Sequence, residues 1–301
     1  MLKKLLILAV CLGLCNTTWT QSLLIDLENE IEQVEGYPIA VDTLEEFIQS
    51  YYILLDSEEY LKGFSFIKRD KNVIPDSDTL LGGFLYKLME LRSGLRDRVT
   101  IYQIGDSHIK PGFFSTTARS SLIKYFEQSN SGNSPILSYQ FTGIIGASYK
   151  NLLGNESIFR RCRELEPDLI VISLGTNDAQ GTYNAQRFRS ELQAFMKKLS
   201  TYQGEAEILF TLPPDTNKYG RHNADVPKVS AEIAAYAESN HHACWNLAEV
   251  MGGRGSIVKW RAQDFASSDL VHFSPKGYML QGYLFYDAIM QAYKSRTETS
   301  G

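Results

Sequence analysis

Cysteine is scarce in this 301-residue chain, and half of it lies at the extreme N-terminus. Cys11 and Cys15 fall within the first twenty residues, which leaves Cys162 and Cys244 for the remainder. Two cysteines are not a disulfide framework. A bridge between them and two separate buried thiols both remain open, and the separate thiols are the simpler expectation. There is no Cys-x-x-Cys pair and no His-Glu-x-x-His, so the sequence supports no metal site and asks for no cofactor. A basic excess is also missing. Lys and Arg number 30 against 35 Asp and Glu, a formal net charge of -5. That balance argues against a nucleic-acid partner or an anionic-membrane surface. Beyond the first twenty residues no apolar run is long enough to cross a bilayer, so the mature chain is expected to carry no transmembrane anchor. Repeats and low-complexity stretches are absent as well.

What the first twenty residues contain is a leader pattern. Lys3 and Lys4 form a positive end, and Leu5 to Leu14 is apolar but too short for a stable span. The expected cut is near Thr20-Gln21, and losing the two lysines takes the net charge from -5 to -7. A periplasmic or extracellular location follows. Cys15 keeps a lipid-anchored alternative open, although Leu14 is bulkier than the small residue that usually precedes a lipidated cysteine.

Hydrophobic residues make up 44% of the chain, enough for a sizeable core. Residues 21–96 read as a helical N-terminal extension. Leu23 to Val34 and Thr43 to Leu55 have apolar residues at helical spacing. Asp76-Ser77-Asp78 offers a cap before Leu80 to Leu91. Residues 97–296 then form the catalytic domain. Strand patterns at Val99–Ile104, Ile136–Phe141, Asp168–Leu174, Ala206–Leu212 and Ala243–Leu247 alternate with helical ones. Those are Ser115–Phe126, Tyr149–Arg163, Phe188–Leu199, Val226–Ser239 and Pro275–Tyr293. Such alternation predicts an α/β fold with a parallel sheet covered on both faces. Sites in these folds lie beyond the carboxyl ends of the strands.

Three short motifs fall at such places or in the last loop. Gly105-Asp106-Ser107-His108 follows the first strand pattern, and Gly175-Thr176-Asn177-Asp178 follows the third. Asp269-Leu270-Val271-His272 precedes Pro275. They supply a nucleophile, an amide donor, and a base with its orienting carboxylate, which are the parts of a serine hydrolase. Ser107 is expected on a strand-to-helix turn, where its own N–H and the helix field would favour developing negative charge; a helix cap is the plainer role for such a serine. Asn177 offers a side-chain N–H to an oxyanion, while an Asn-Asp turn is the competing role. Asp106 and Asp178 read as structural braces. Gly143-Ile144-Ile145-Gly146-Ala147 lies beyond the second strand, where a glycine lets the backbone present an N–H closely. His108 adjoins the nucleophile and is placed to touch substrate. Lys110 is placed to face the cleft mouth and attract an anionic chain, against the plainer role of a solvated lysine.

The order Gly-Asp-Ser, glycine loop, Gly-x-Asn-Asp, Asp-x-x-His resembles the SGNH (GDSL-type) hydrolases over about residues 97–294. The resemblance implies a three-layer, flavodoxin-like sandwich. It implies Ser107, Asp269 and His272 as catalytic residues, and Ser107, Gly146 and Asn177 as the oxyanion hole. Ile104 to His108, Val250 to Ile257 and His272 to Tyr278 are similar to the secreted branch of peptidoglycan O-acetylesterases. Two features depart from that branch. Lys110-Pro111 stands where a glutamine is common, and the short segment between Ser107 and Gly146 has no room for a carbohydrate-binding insertion. The expected activity is removal of a short acyl group, acetyl foremost, from an O-acylated polysaccharide or other small ester. The alternatives are acyl transfer or lipid-ester hydrolysis on the same triad, or a non-catalytic glycan-binding envelope protein.

Overall fold

In the computed structural model, which describes residues 64–126 and 136–299, every residue of β1 (Arg98–Gly105) after the first is buried. A strand buried on both faces needs cover on both sides, and a parallel sheet supplies it. β1 lies between β2 (Ile136–Gly143) and β3 (Leu169–Ser173), and the sheet continues through β4 (Glu207–Leu212) to a fifth strand. A two-stranded hairpin, β5 (Asn217–Lys218) and β6 (Arg221–His222), precedes that strand, β7 (Ala243–Asn246). The sheet order is β2-β1-β3-β4-β7, and all its pairings are parallel. The order reverses at β1, so the crevice beyond the carboxyl ends of β1 and β3 is the switch point where such folds place their sites.

Period-two alternation assigns the two faces. Tyr102, Ile104, Ile170, Ile172, Ile208 and Phe210 face one core. That core is covered by α4 (Tyr149–Leu152), α5 (Glu156–Leu165), α7 (Ala185–Leu199) and α8 (Val226–Ser239); α6 (Thr176–Gln180) leads into them from β3. The other face is covered by α3 (Phe113–Phe126) and the terminal α11 (Pro275–Thr299). These two helices approach closely, because a Cβ on Gly282 would meet the Phe114 carbonyl oxygen at 2.3 Å. Gln103, fully buried on β1, spans three strands. Its Nε2 donates to Ser173 Oγ at 2.8 Å, and its Oε1 accepts from Tyr139 and from Ser115 of α3. A polar side chain survives there because its partners are all supplied.

Residues 64–97, which precede β1, belong to the same compact unit, which starts at Phe64. The boundary expected at residues 96–97 therefore falls inside the unit. α1 (Ser77–Leu80) and α2 (Gly82–Ser93) precede β1, and α2 buries Phe84, Leu85, Leu88 and Leu91. Glu207, at the start of β4, caps α2 by accepting from the Gly83 and Phe84 N–H groups. Asn72 is buried, donates to the Leu284 carbonyl at 3.0 Å, and accepts from Trp245 Nε1 at 2.9 Å. The leader and the helical patterns at 23–34 and 43–55 lie outside the described residues.

Several local patterns resolve differently from the sequence expectation. Tyr149–Arg163 is two helices. α4 starts on a Ser148 cap and stops at Leu153, whose carbonyl is taken by Lys198 Nζ. Gly154 and Asn155, both weak helix formers, separate it from α5. Two short helices, α9 (Leu247–Val250) and α10 (Ser256–Arg261), and the β5–β6 hairpin were not signalled by periodicity, being too short to have any. Cys162 and Cys244 are separate free thiols, and burial pushes each up to about 12.

Candidate active site

The loop after β1 is shaped by two paired glycines. Gly105 and Gly143 sit side by side at the ends of β1 and β2. A Cβ on Gly105 would meet Ile109 at 2.2 Å, and one on Gly143 would meet the Lys110 backbone at 2.2 Å. Only bare backbone lets residues 106–112 lie flat across the strand ends. Within that loop the Ile109 and Lys110 N–H groups donate to the Asp106 carbonyl, and Asp106 Oδ1 accepts from the His108 N–H at 2.9 Å. Ser107 is thereby held on a tight turn at the sheet edge. The helix expected over Ser115–Phe126 begins two residues earlier, at Phe113, and the 106–112 turn and Gly112, at φ 86°, separate it from Ser107. Ser107 thus neither caps a helix nor stands at its N-terminus.

Ser107 Oγ lies 3.0 Å from His272 Nε2, and His272 Nδ1 lies 2.7 Å from Asp269 Oδ2. The other Asp269 oxygen accepts from the Val271 and His272 N–H groups, each at 2.9 Å. The carboxylate is therefore held by the loop that it serves. Partial burial opposes its charge, but these hydrogen bonds outweigh burial and hold the carboxyl below the usual range. The loop is fixed by a bridge between Ala266 and Phe273 and by the Ser267 N–H on the His272 carbonyl. Leu270, between the two motif residues, takes φ 55°, and its carbonyl accepts from the Asn217 N–H. The site is open: the His272 side chain is 41% exposed and that of Asp269 49%.

Asn177 stands at the first turn of α6. Its Nδ2 donates to the Ala147 carbonyl at 2.9 Å and lies 3.5 Å from Asp106 Oδ2. Its Nδ2 thus carries a short bond to Ala147 and a long one to Asp106. Gly146 takes φ 73° with open space beside its Cα, and its carbonyl accepts from Asn151 Nδ2. Among the described residues, neither the Ser107 N–H nor the Gly146 N–H has a hydrogen-bond partner. Serine, histidine and aspartate are thus brought into one hydrogen-bonded line, and the asparagine and glycine stand on the neighbouring strand ends.

His108 is 7% exposed and packs behind His272, ring centroids 5.3 Å apart, rather than projecting into solvent. Its Nδ1 lies 3.2 Å from the Tyr278 hydroxyl, and its Nε2 is buried without a partner among the described residues. Burial, with His272 alongside, pushes it down to about 3, so the wall behind His272 is uncharged at neutral pH. Lys110 is exposed, with its backbone packed over Gly143. Asp106 is buried, and burial, reinforced by Asp178, pushes its carboxyl up to about 7. Asp178 is likewise pushed up to about 7 by burial, and its Oδ2 lacks a partner among the described residues. Phe273 and Tyr278, which line the His108 ring, lie in the His272–Tyr278 run that carries part of the resemblance, but sequence reasoning assigned them no role. A groove of about 820 Å³ between α7 and α8, lined by Arg189, Met196, Glu232 and His242 among others, contains none of the motif residues.

Comparison with known proteins gives a sequence match between residues 104–280 and the model of the GDSL-like lipase/acylhydrolase family. No curated protein matches the chain. Among solved structures, a peptidoglycan O-acetylesterase is 16% identical with a TM-score of 0.62, covering 71% of this chain and 96% of its own. A two-domain esterase active on acetylated mannans, crystallised with mannopentaose, is 16% identical with a TM-score of 0.54. That match covers 76% of this chain and 57% of the esterase. At these identities the likeness is one of fold.

Proposed function

We propose that this chain, which belongs to the GDSL-like lipase/acylhydrolase family, is a serine esterase that removes short acyl groups, acetyl foremost, from a cell-envelope or extracellular glycan. Family membership makes it a carboxylic ester hydrolase; the residue roles and the substrate are our reading. The observation that carries it is the line from Ser107 Oγ through His272, at 3.0 Å, to Asp269, at 2.7 Å.

His272 Nε2 takes the Ser107 proton as Oγ attacks the ester carbonyl. Asp269 holds the proton on Nδ1 and stabilises the imidazolium. The oxyanion is received by the Ser107 and Gly146 N–H groups and by the Asn177 Nδ2–H that makes only the long 3.5 Å contact with Asp106; one such donor is worth about a hundredfold or more in rate. His272 then protonates the departing sugar alkoxide, leaving an acyl-serine. Water, deprotonated by His272, attacks that ester and returns the serine with release of the carboxylic acid.

Two observations support a glycan over a lipid. The triad is open to solvent. The two structural neighbours are described as esterases of peptidoglycan and of acetylated mannans. We extend the reading to an export route because of the Lys3–Leu14 leader pattern; a mature protein retaining Met1 would overturn that part. We assign exposed Lys110 to recruitment of an anionic chain.

Acetate release from O-acetylated peptidoglycan, acetylated xylan and a panel of aryl esters tests the reading. We expect acetate release, at least tenfold preference for acetyl over octanoyl esters, and loss of turnover by several orders of magnitude in Ser107→Ala. Lys110→Gln should weaken use of the anionic polymer at low salt only, because screening removes long-range attraction. Preference for esters of eight or more carbons, an order-of-magnitude threshold set by about 0.8 kcal/mol per buried CH₂, would instead make the protein a lipid esterase.

A further inference from the structure

The β5–β6 hairpin has a two-residue tip. Asn217 pairs with His222 and Lys218 with Arg221, leaving Tyr219 and Gly220 between them. Both tip residues have positive φ, 53° at Tyr219 and 73° at Gly220. Positive φ at both positions marks a type I′ turn, which favours Asn-Gly or Asp-Gly. A bulky side chain is disfavoured at the first position, where its Cβ crowds the carbonyl. Burial does not offset that strain, since Tyr219 is 92% exposed, the ring accompanied by Lys218 Nζ at 5.9 Å from its centroid.

The hairpin base, by contrast, is held firmly to both loops of the active site. The Asn217 N–H donates to the carbonyl of Leu270, inside the Asp269-x-x-His272 segment, at 2.8 Å. On the other side Gln180, at the end of the helix that starts beside Asn177, donates to the Asn217 carbonyl at 2.8 Å. Lys218 Nζ reaches the carbonyls of Ala179 and Gly181 and the Asp225 carboxylate. A rigid stem thus joins the segment that holds the base to the one that holds the oxyanion donor, and it carries a strained, solvent-facing aromatic.

We propose that Tyr219 is a stacking platform for a sugar ring flanking the acylated residue of the substrate chain. The proposal rests on the glycan reading above and adds a subsite to it. A short acyl group offers little surface for binding, so affinity for a polymer has to come from the sugars on either side. A pyranose presents a flat face of C–H bonds with hydroxyls at its rim. An aromatic ring matches that face, and tyrosine adds a polar edge at the cost of fixing only two side-chain torsions. Local strain kept at an exposed position is the mark of a residue held for contact with something else.

Binding of O-acetylated peptidoglycan fragments and of acetylated xylan and mannan oligosaccharides, measured calorimetrically in a Ser107→Ala background, tests the assignment without turnover. We expect Tyr219→Asn to weaken binding about tenfold and Tyr219→Trp to keep it. In the active enzyme the ratio of kcat/KM for polymer over aryl acetate should fall by the same factor, through KM. Asparagine is favoured at this turn, so Tyr219→Asn should melt no lower than the parent, which separates lost contact from lost fold. Leu95→Asn, at the opposite end of β1 and 80% exposed, should leave the ratio unchanged. Binding by Tyr219→Asn within twofold of a parent that binds would overturn the platform and leave the glycan reading standing. A parent that neither binds nor deacetylates any of these glycans would overturn the glycan reading, and the platform with it.

Discussion

Asp269 spends one oxygen on the His272 ring and the other on two backbone N–H groups of its own loop, so a neutral amide cannot replace it without loss. In Asp269→Asn the wrong ring tautomer is favoured, and steady-state kinetics should record a fall in kcat of about 10²–10⁴-fold, smaller than that of His272→Ala. Asp178 is governed by burial instead. Its carboxyl titrates near 7 in the fold against 3.8 for an ordinary aspartate. Between those values the folded state holds more protons than the unfolded one, so stability falls as pH rises from about 4 to about 7. Thermal melts should therefore show the wild type losing Tm between pH 5 and pH 8. Asp178→Asn should lose about 2–4 °C less, the shift that about 1 kcal/mol produces in a domain of this size. The residues of the Ser107–His272–Asp269 hydrogen-bonded line could be picked out in the sequence because Gly-Asp-Ser and Asp-x-x-His are contiguous. The neutral wall made by His108 was not, since its environment comes from Tyr278 and Phe273, both more than 160 positions away in the chain.

Long elements were located from sequence, some to the residue, although α7 starts three residues before its expected span and α11 runs six beyond its own. Val226–Ser239 agrees at both ends, and β1 extends one residue beyond its predicted span on each side. Errors gathered where tertiary contacts decide. The 149–163 pattern breaks because Lys198, from another helix, takes the Leu153 carbonyl. Ser107 stands apart from the helix after β1 because two strand-end glycines make room for a flat turn between them. The segment 64–96 joins the catalytic unit through long-range contacts that no local pattern encodes, Asn72 with Trp245 and Leu284 foremost. Asn72→Ala should thus destabilise the whole unit. It leaves the buried Trp245 N–H and Leu284 carbonyl without their Asn72 partner, at a cost of about 1–3 kcal/mol, read as a lower urea midpoint with unchanged slope.

At the scale of the molecule, the topology accounts for the meeting of residues 165 positions apart. β1 and β3 are neighbours at the switch point, so the turns after them bring Ser107 and Asn177 to one edge, and the last loop returns His272 to the same place. The sheet needs cover on both faces, and α11 provides it on one face immediately after that loop, which ties His272 to the core. The central claim is that this edge makes Ser107 a nucleophile. Intact-protein and peptide mass spectrometry after treatment with a small activated alkylphosphonate ester tests it most directly. The account predicts a single adduct per chain, on the peptide containing Ser107, formed in step with loss of esterase activity and absent from Ser107→Ala and His272→Ala. Inactivation with the adduct on another residue, or labelling of Ser107 undiminished in His272→Ala, would contradict it.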